Sequence, residues 1–286
     1  MLDPLLRISG EEACQQYMAR RAVPEHPQFF ERWAARSETL RQEYRRQRLM
    51  QSDNPREFID LYWPKSLSSD QLHLFIHGGY WQSQHPDSFG FLARPFLERG
   101  IPFAVMGYPL CPDVSMVELA QSVQRRLSRL WRERLSLPLE VNRIHLSGHS
   151  AGGHLAALMG CQGWGGELVD AVGSILSLSG LFELSPLMHT PINDALRLHS
   201  DQARELSPLR LKALLSIPHA MVVGERESVA FHRQSDIFSH HLQIQGIPCE
   251  RWDAEGCNHF SVLDNFAEPN SASQRWALQQ MLPAAG

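Results

Sequence analysis

Residues 143–155 read RIHLSGHSAGGHL, and within them Gly148-His149-Ser150-Ala151-Gly152 sets a serine between two glycines where a β-rich run gives way to a helix-forming one. A serine hydroxyl attacks a carbonyl only when a neighbouring base takes its proton and fixed donors await the developing charge. A Gly-x-Ser-x-Gly turn between strand and helix provides the setting. The turn is so sharp that Ser150 must take strained backbone angles, and Gly148 and Gly152 are needed where chain packs too closely for a side chain. The helix that starts behind the serine favours negative charge nearby. The expected chemistry is acyl transfer with Ser150 as nucleophile. Taken alone, the pentapeptide also suits a glycine-rich turn of an ordinary doubly wound sheet.

Two further features narrow that choice. Leu74–Trp81, LFIHGGYW, is an apolar strand ending in His-Gly-Gly, one crossover ahead of the serine. Such a loop turns backbone N–H groups toward one point, and the oxyanion donors are assigned to Gly79 and Tyr80, with Ala151 as the third. His77 reads as a residue that pins this loop through hydrogen bonds. The second feature is chain order, since this fold requires nucleophile, then acid, then histidine. The acid should follow the strand IPHAMVVG, where GERES offers Glu227 and, as alternate, Glu225. The histidine should follow the last strand, where AEGCNHFSV offers His259. His232, His240 and His241 fall in a charged helical stretch and read as surface residues. In the expected mechanism His259 takes the Ser150 proton, the carboxylate holds the imidazole in the right tautomer, and no metal or organic cofactor is called for.

These groups need a scaffold, and the chain alternates short apolar runs with helical patterns, the signature of a mostly parallel sheet covered on both faces. Strands are expected over 56–63, 71–76, 101–108, 143–148, 171–179, 217–224 and 248–254. A helix over 115–134 opens on a Ser115–Glu118 capping box, another runs from Ser150 to near Gly160, and a last one spans 272–281. The fold class is α/β, an α/β-hydrolase fold, expected as a single domain over 1–286. It carries an N-terminal helical segment over about 1–50 and an insertion of short, proline-interrupted helices over 181–215, read as a lid or substrate wall. The basic run at Arg45–Leu49 reads as the solvated end of a helix.

Composition sets outer bounds. Hydrophobic residues make up 43% and charged ones 20%, enough apolar side chain for a sizeable core, while a net charge of −4 offers no field to gather nucleic acid or anionic membrane. The five cysteines show neither CxxC spacing nor an even framework. No secretory leader or membrane span is evident, so a cytoplasmic protein with a small-molecule partner is expected; whether it self-associates is not legible.

HGGYW, GHSAGGHL, SGLFELSPL and HPQFFERWAARS together resemble the kynurenine formamidase (arylformamidase) branch of the α/β-hydrolases. The resemblance runs from the N-terminal helical segment to the loop around His259. It implies hydrolysis of N-formyl-L-kynurenine to L-kynurenine and formate, a carbon–nitrogen bond cleavage in tryptophan breakdown. In that family the acid is commonly an aspartate before a SPEFHRQS-like helix start. The matching stretch here is ESVAFHRQS, which puts Glu227 in that place. Tyr80, Trp81 and Phe182 are the candidates to pack on an aryl substrate, with packing under the glycine loop an equal reading for Trp81. A carboxylesterase for small aryl or short-acyl esters, or for a related arylamide or carbamate, would use the same triad, and an inactive binding module of this fold is a remote third reading.

Overall fold

The computed structural model describes residues 8–50, 52–136 and 141–281. Residues 1–7, part of the segment read as lacking a leader, lie outside them. Its strands are β1 (Arg46–Met50), β2 (Phe58–Tyr62), β3 (Gln71–Ile76), β4 (Phe103–Met106), β5 (Arg143–His149), β6 (Val172–Leu178), β7 (His219–Gly224) and β8 (Cys249–Ala254). The helices are α1 (Gly10–Tyr17), α2 (Ala19–Ala22), α3 (His26–Glu43), α4 (Arg94–Leu97), α5 (Met116–Glu133), α6 (Ala151–Met159), α7 (Asn193–Leu196), α8 (Ser200–Glu205), α9 (Val229–Ile244), α10 (Ser261–Ala267) and α11 (Ala272–Gln279). The strands form one sheet in the order β1-β2-β4-β3-β5-β6-β7-β8. From β4 to β8 every pairing is parallel, and β2 joins β1 and β4 antiparallel.

Alternation along the strands divides the core. On β3, Leu72, Leu74 and Ile76 face one layer with α5 and α6, while Phe75 faces the other, with Trp33, Phe96 and Phe266. The capping box at Ser115 and Glu118 forms as expected and starts an amphipathic α5. Helix α6 is buried along its whole length, and its opening Ala-Gly-Gly lets it lie close over the sheet. Among the described residues no helix is long and apolar enough to cross a membrane.

The basic run departs from expectation. Helix α3 stops at Glu43, Tyr44 turns extended, and Arg46–Met50 is an edge strand rather than a helix end. The physical reason lies across the ladder. Arg48 sits opposite the buried Asp60 and donates to both of its carboxylate oxygens at 2.8 and 2.7 Å. Arg46 lies on the same face and also reaches Asp60. The alternation of Arg46 and Arg48 is a strand period, and only the partner on β2 reveals it.

Several of the polar groups buried in the core are imidazoles held neutral. Burial lowers the pKa of His77 to about 3, and of His145, His154 and His219 to about 4. The same cause holds His73 and His149 well below the ordinary value of 6.5. These groups protonate near pH 6.5 when unfolded but only at lower pH when folded. Their stabilising contribution is therefore present above pH 6.5 and is lost as pH falls through the folded values. Urea unfolding midpoints should drop steeply between roughly pH 6.5 and 4. A midpoint flat across that range would contradict burial of these rings in neutral form.

Candidate active site

Strand β5 delivers Ser150 into a left-handed backbone conformation, φ 55° and ψ −117°, and α6 begins at the next residue. The two flanking glycines are required by space. A Cβ on Gly148 would lie 2.1 Å from the Gly152 carbonyl oxygen, and one on Gly152 would lie 2.0 Å from that of Ile76. The strained serine is held by its neighbours, with its N–H donating to Leu178 O at 2.8 Å and its carbonyl accepting from the His154 N–H at 3.0 Å. Among the described residues its hydroxyl makes no hydrogen bond, to His259 or to any other group, and the hydrogen bond of the His259 ring is the one from Nδ1 to Glu227.

Strands β7 and β8 are parallel neighbours, so the loops that leave their C-terminal ends lie side by side. Glu227 is on the first and His259 on the second. The Arg226 N–H donates to Cys257 O at 2.8 Å across them, and the Asn258 side chain accepts from the N–H groups of Phe260 and Ser261 where α10 starts. His259 Nδ1–H donates to Glu227 Oε2 at 2.6 Å, and the Glu227 side chain is fully buried. The other carboxylate oxygen, Oε1, accepts from the Ser179 hydroxyl at 2.5 Å and the Gly224 N–H at 2.7 Å. With Nδ1 carrying the proton toward the carboxylate, Nε2 is left as the basic nitrogen. Glu225, the alternate acid, is exposed instead and accepts from the Gly256 N–H at 2.7 Å, away from the imidazole.

The loop after β3 is wound by three successive positive φ angles, 116° at Gly79, 56° at Tyr80 and 58° at Trp81. Only glycine fits at 79, where a Cβ would lie 2.3 Å from the Ser83 carbonyl oxygen. Among the described residues the N–H groups of Gly79, Tyr80 and Ala151 donate to no protein acceptor. His77 behaves as read from the sequence. It is fully buried, stacked between Phe89 and Tyr108, and its Nδ1–H donates to Gly78 O at 2.7 Å.

Ser150, His149, His259, Gly78, Gly79 and Tyr80 line one small cavity of about 20 Å³. Its outer wall comes from the N-terminal helices, through Arg20, Phe30 and Trp33, with Phe89 and Phe260. Those helices are fastened down at Asp264, which accepts from Arg32, Arg36 and Trp33 Nε1. None of the cavity's lining residues comes from 181–215, so the segment expected as lid or substrate wall stands elsewhere. It packs as 3-10 turns and the short helices α7 and α8, and Gln234 of α9 holds its start by accepting from the N–H groups of Phe182 and Glu183.

Of the candidate substrate residues, Phe182 is displaced and Trp81 takes its alternative place under the glycine loop. Trp81 is fully buried in the core, where its Nε1–H donates to His154 at 3.3 Å, so it anchors the glycine loop rather than facing a ligand. Phe182 is fully buried and stacks on Phe238 with ring centroids 4.3 Å apart. Sequence reading missed three contributors. His149, inside the serine pentapeptide, donates from Nε2 to the His259 carbonyl at 2.7 Å, tying the histidine loop to the serine turn. Ser179 supports the carboxylate, and Arg20 joins the cavity wall. The HPQFFERWAARS aromatics signalled importance, but not contact with the serine.

A parallel sheet, a strained serine at the end of its central strand, and a carboxylate-bound histidine beside it define an α/β-hydrolase. The BD-FAE family profile matches residues 59–180. Kynurenine formamidase from Danio rerio is 28% identical over 221 residues, 75% of this chain and 74% of that protein, and the Drosophila melanogaster enzyme is 27% identical over 77% of each. A candidate thioesterase from Silicibacter sp. tm1040 superposes with a TM-score of 0.80 at 27% identity, over 90% of this chain and 95% of that one. An arylesterase shares the fold alone, with a TM-score of 0.67 at 15% identity, over 98% and 97%. The chain has the α/β-hydrolase fold, is similar in sequence to kynurenine formamidases, and is a hydrolase of the formamide or ester type.

The packing at the serine turn is testable by a paired substitution. Gly152→Ala should lower stability by about 1–3 kcal/mol, because the added methyl meets rigid backbone. Gly166→Ala should stay near wild type, since its Cβ meets nothing within 4 Å. Equal unfolding midpoints for the two variants would contradict the close approach of α6 to β3.

Proposed function

We propose that the chain hydrolyses aryl formamides, with N-formyl-L-kynurenine as the substrate, through a Ser150–His259–Glu227 triad. The observation that carries this reading is the 2.6 Å bond from His259 Nδ1 to a fully buried carboxylate, in a cavity lined by Ser150 and walled by aromatic rings. Ser150 Oγ attacks the formyl carbon while His259 Nε2 takes the hydroxyl proton. The tetrahedral oxyanion is held by the N–H groups of Gly79, Tyr80 and Ala151, which have no other acceptor to release. His259 returns the proton to the departing arylamine. Water then enters, gives its proton to His259 and attacks the formyl-enzyme, which releases formate and restores Ser150.

The lining offers groups for both halves of such a substrate. Gly78 and Gly79 bring only backbone to the acyl side, and Tyr80, Phe30, Phe89 and Phe260 offer faces and edges to an aryl ring. Aromatic pairs of that kind contribute about 0.5–1.5 kcal/mol beyond area burial. The similarity to kynurenine formamidases over three quarters of the chain supports formyl as the acyl group. A carboxylesterase reading draws on the esterase-type structural neighbours and would use the same atoms.

Ser150→Ala should reduce turnover by roughly a millionfold, because triad members act as a unit. Glu227→Gln should cause a severe loss and Glu225→Gln little, and the reverse order would overturn the acid assignment. Rates for N-formyl-L-kynurenine and p-nitrophenyl acetate decide the substrate. kcat/KM should favour the formamide, and strong preference for the simple ester would replace this reading with the esterase one.

A further inference from the structure

We propose that Arg20 is the specificity-determining residue that binds a carboxylate on the substrate. This rests on the formamidase reading for the substrate's identity, but not for the site's charge preference.

Arg20 is the one arginine or lysine among the residues lining the cavity that holds Ser150. Among the described residues it meets no carboxylate within ion-pair distance, whereas its neighbour Arg21 pairs with Glu11, and Arg32 and Arg36 both pair with Asp264. It is not left loose. Its guanidinium lies over the Tyr80 ring at 5.2 Å and the Phe30 ring at 5.6 Å, and Nη2 donates to Ser83 Oγ at 2.7 Å. Ser83 Oγ–H in turn donates to Gly79 O at 2.8 Å, so the cation is braced on the loop that carries the proposed oxyanion donors.

A guanidinium has five N–H donors in a planar fork, and the bond to Ser83 uses only one. The remaining edge can take a carboxylate through two parallel bonds. The Tyr80 and Phe30 rings partly shield this half-buried cation, so an anion there interacts more strongly than it would in bulk solvent. The expected ligand is thus an aryl amide or ester whose side chain ends in a carboxylate, such as an α-amino acid. The ring sits among the aromatics, the acyl carbon at Ser150 and the carboxylate on Arg20.

The test uses two substrate pairs. One is N-formyl-L-kynurenine with its primary carboxamide, and the other is an aryl acetate carrying a side-chain carboxylate with its carboxamide. The wild type should favour the anionic member of each pair in kcat/KM, mainly through KM. Arg20→Gln should shrink the anionic-to-neutral ratio by roughly ten- to a hundredfold, the usual weight of a charge-assisted pair. Arg20→Lys should restore part of it. A ratio unchanged by Arg20→Gln in both pairs overturns the proposal, even where overall activity falls, since a merely structural role lowers both members alike. If only the ester pair is turned over and its ratio depends on Arg20, the formamidase reading fails while the carboxylate site stands.

Discussion

A carboxylate oxygen 2.6 Å from an imidazole Nδ1, with the carboxylate shut away from water, fixes which nitrogen of His259 bears the proton. That choice leaves Nε2 as the nitrogen with a free lone pair, the one able to accept a proton in the proposed mechanism. The bond exists only because β7 and β8 lie side by side and in parallel, so that both of their exit loops emerge at one edge of the sheet. Gly224, at the last position of β7, donates to the same carboxylate and leaves no room for a side chain against the 257–258 backbone. Glutamate in this place has one methylene more than aspartate, and Ser179 and the Gly224 N–H together hold the longer side chain.

Around that bond the chain spends local strain. Ser150, Ser179, Tyr80 and Trp81 all hold positive φ without being glycine, and each is overdetermined by its surroundings. Ser179 is held by its N–H to Val222 O and its hydroxyl to Glu227, Tyr80 by the Arg20 N–H to its hydroxyl, and Trp81 by a buried indole. The indole bonds His154, whose Nε2–H donates to Leu206 O at 2.7 Å. The 181–215 segment therefore supports the glycine loop from behind, through α6. The wall over the serine comes instead from the opposite end of the chain, where α1 to α3 fold back and are tied by Gln16 to α9 and by Asp264 to α10.

Much of this was legible in the sequence, and the reasons are physical. Short runs with turn residues between them marked seven of the eight strands, six of them clearly apolar because central strands are buried on both faces, while β8 at the edge is half exposed. The GHSAG and HGGYW stretches were legible because close backbone approach leaves glycine no substitute. What could not be read was anything set by a distant partner. Arg46 and Arg48 look like a helix end until Asp60 is placed across from them. Trp81 and Phe182 look like substrate contacts until their rings are seen to fill the core. Glu225 and Glu227 differ by two positions, and only the turn after β7 directs one inward and the other to solvent. The outer wall was least visible, because Arg20, Phe30 and Trp33 lie more than a hundred residues before the serine they face.

The most direct measurement is covalent. An aryl fluorophosphonate reacts only with a serine whose proton a neighbouring base can take, and peptide mass spectrometry then locates the adduct. One label per chain on the peptide holding Ser150 is expected, with labelling slowed sharply in His259→Ala and in Glu227→Gln. Labelling of another serine, or an unchanged rate at Ser150 in both variants, would show that these three residues do not act together.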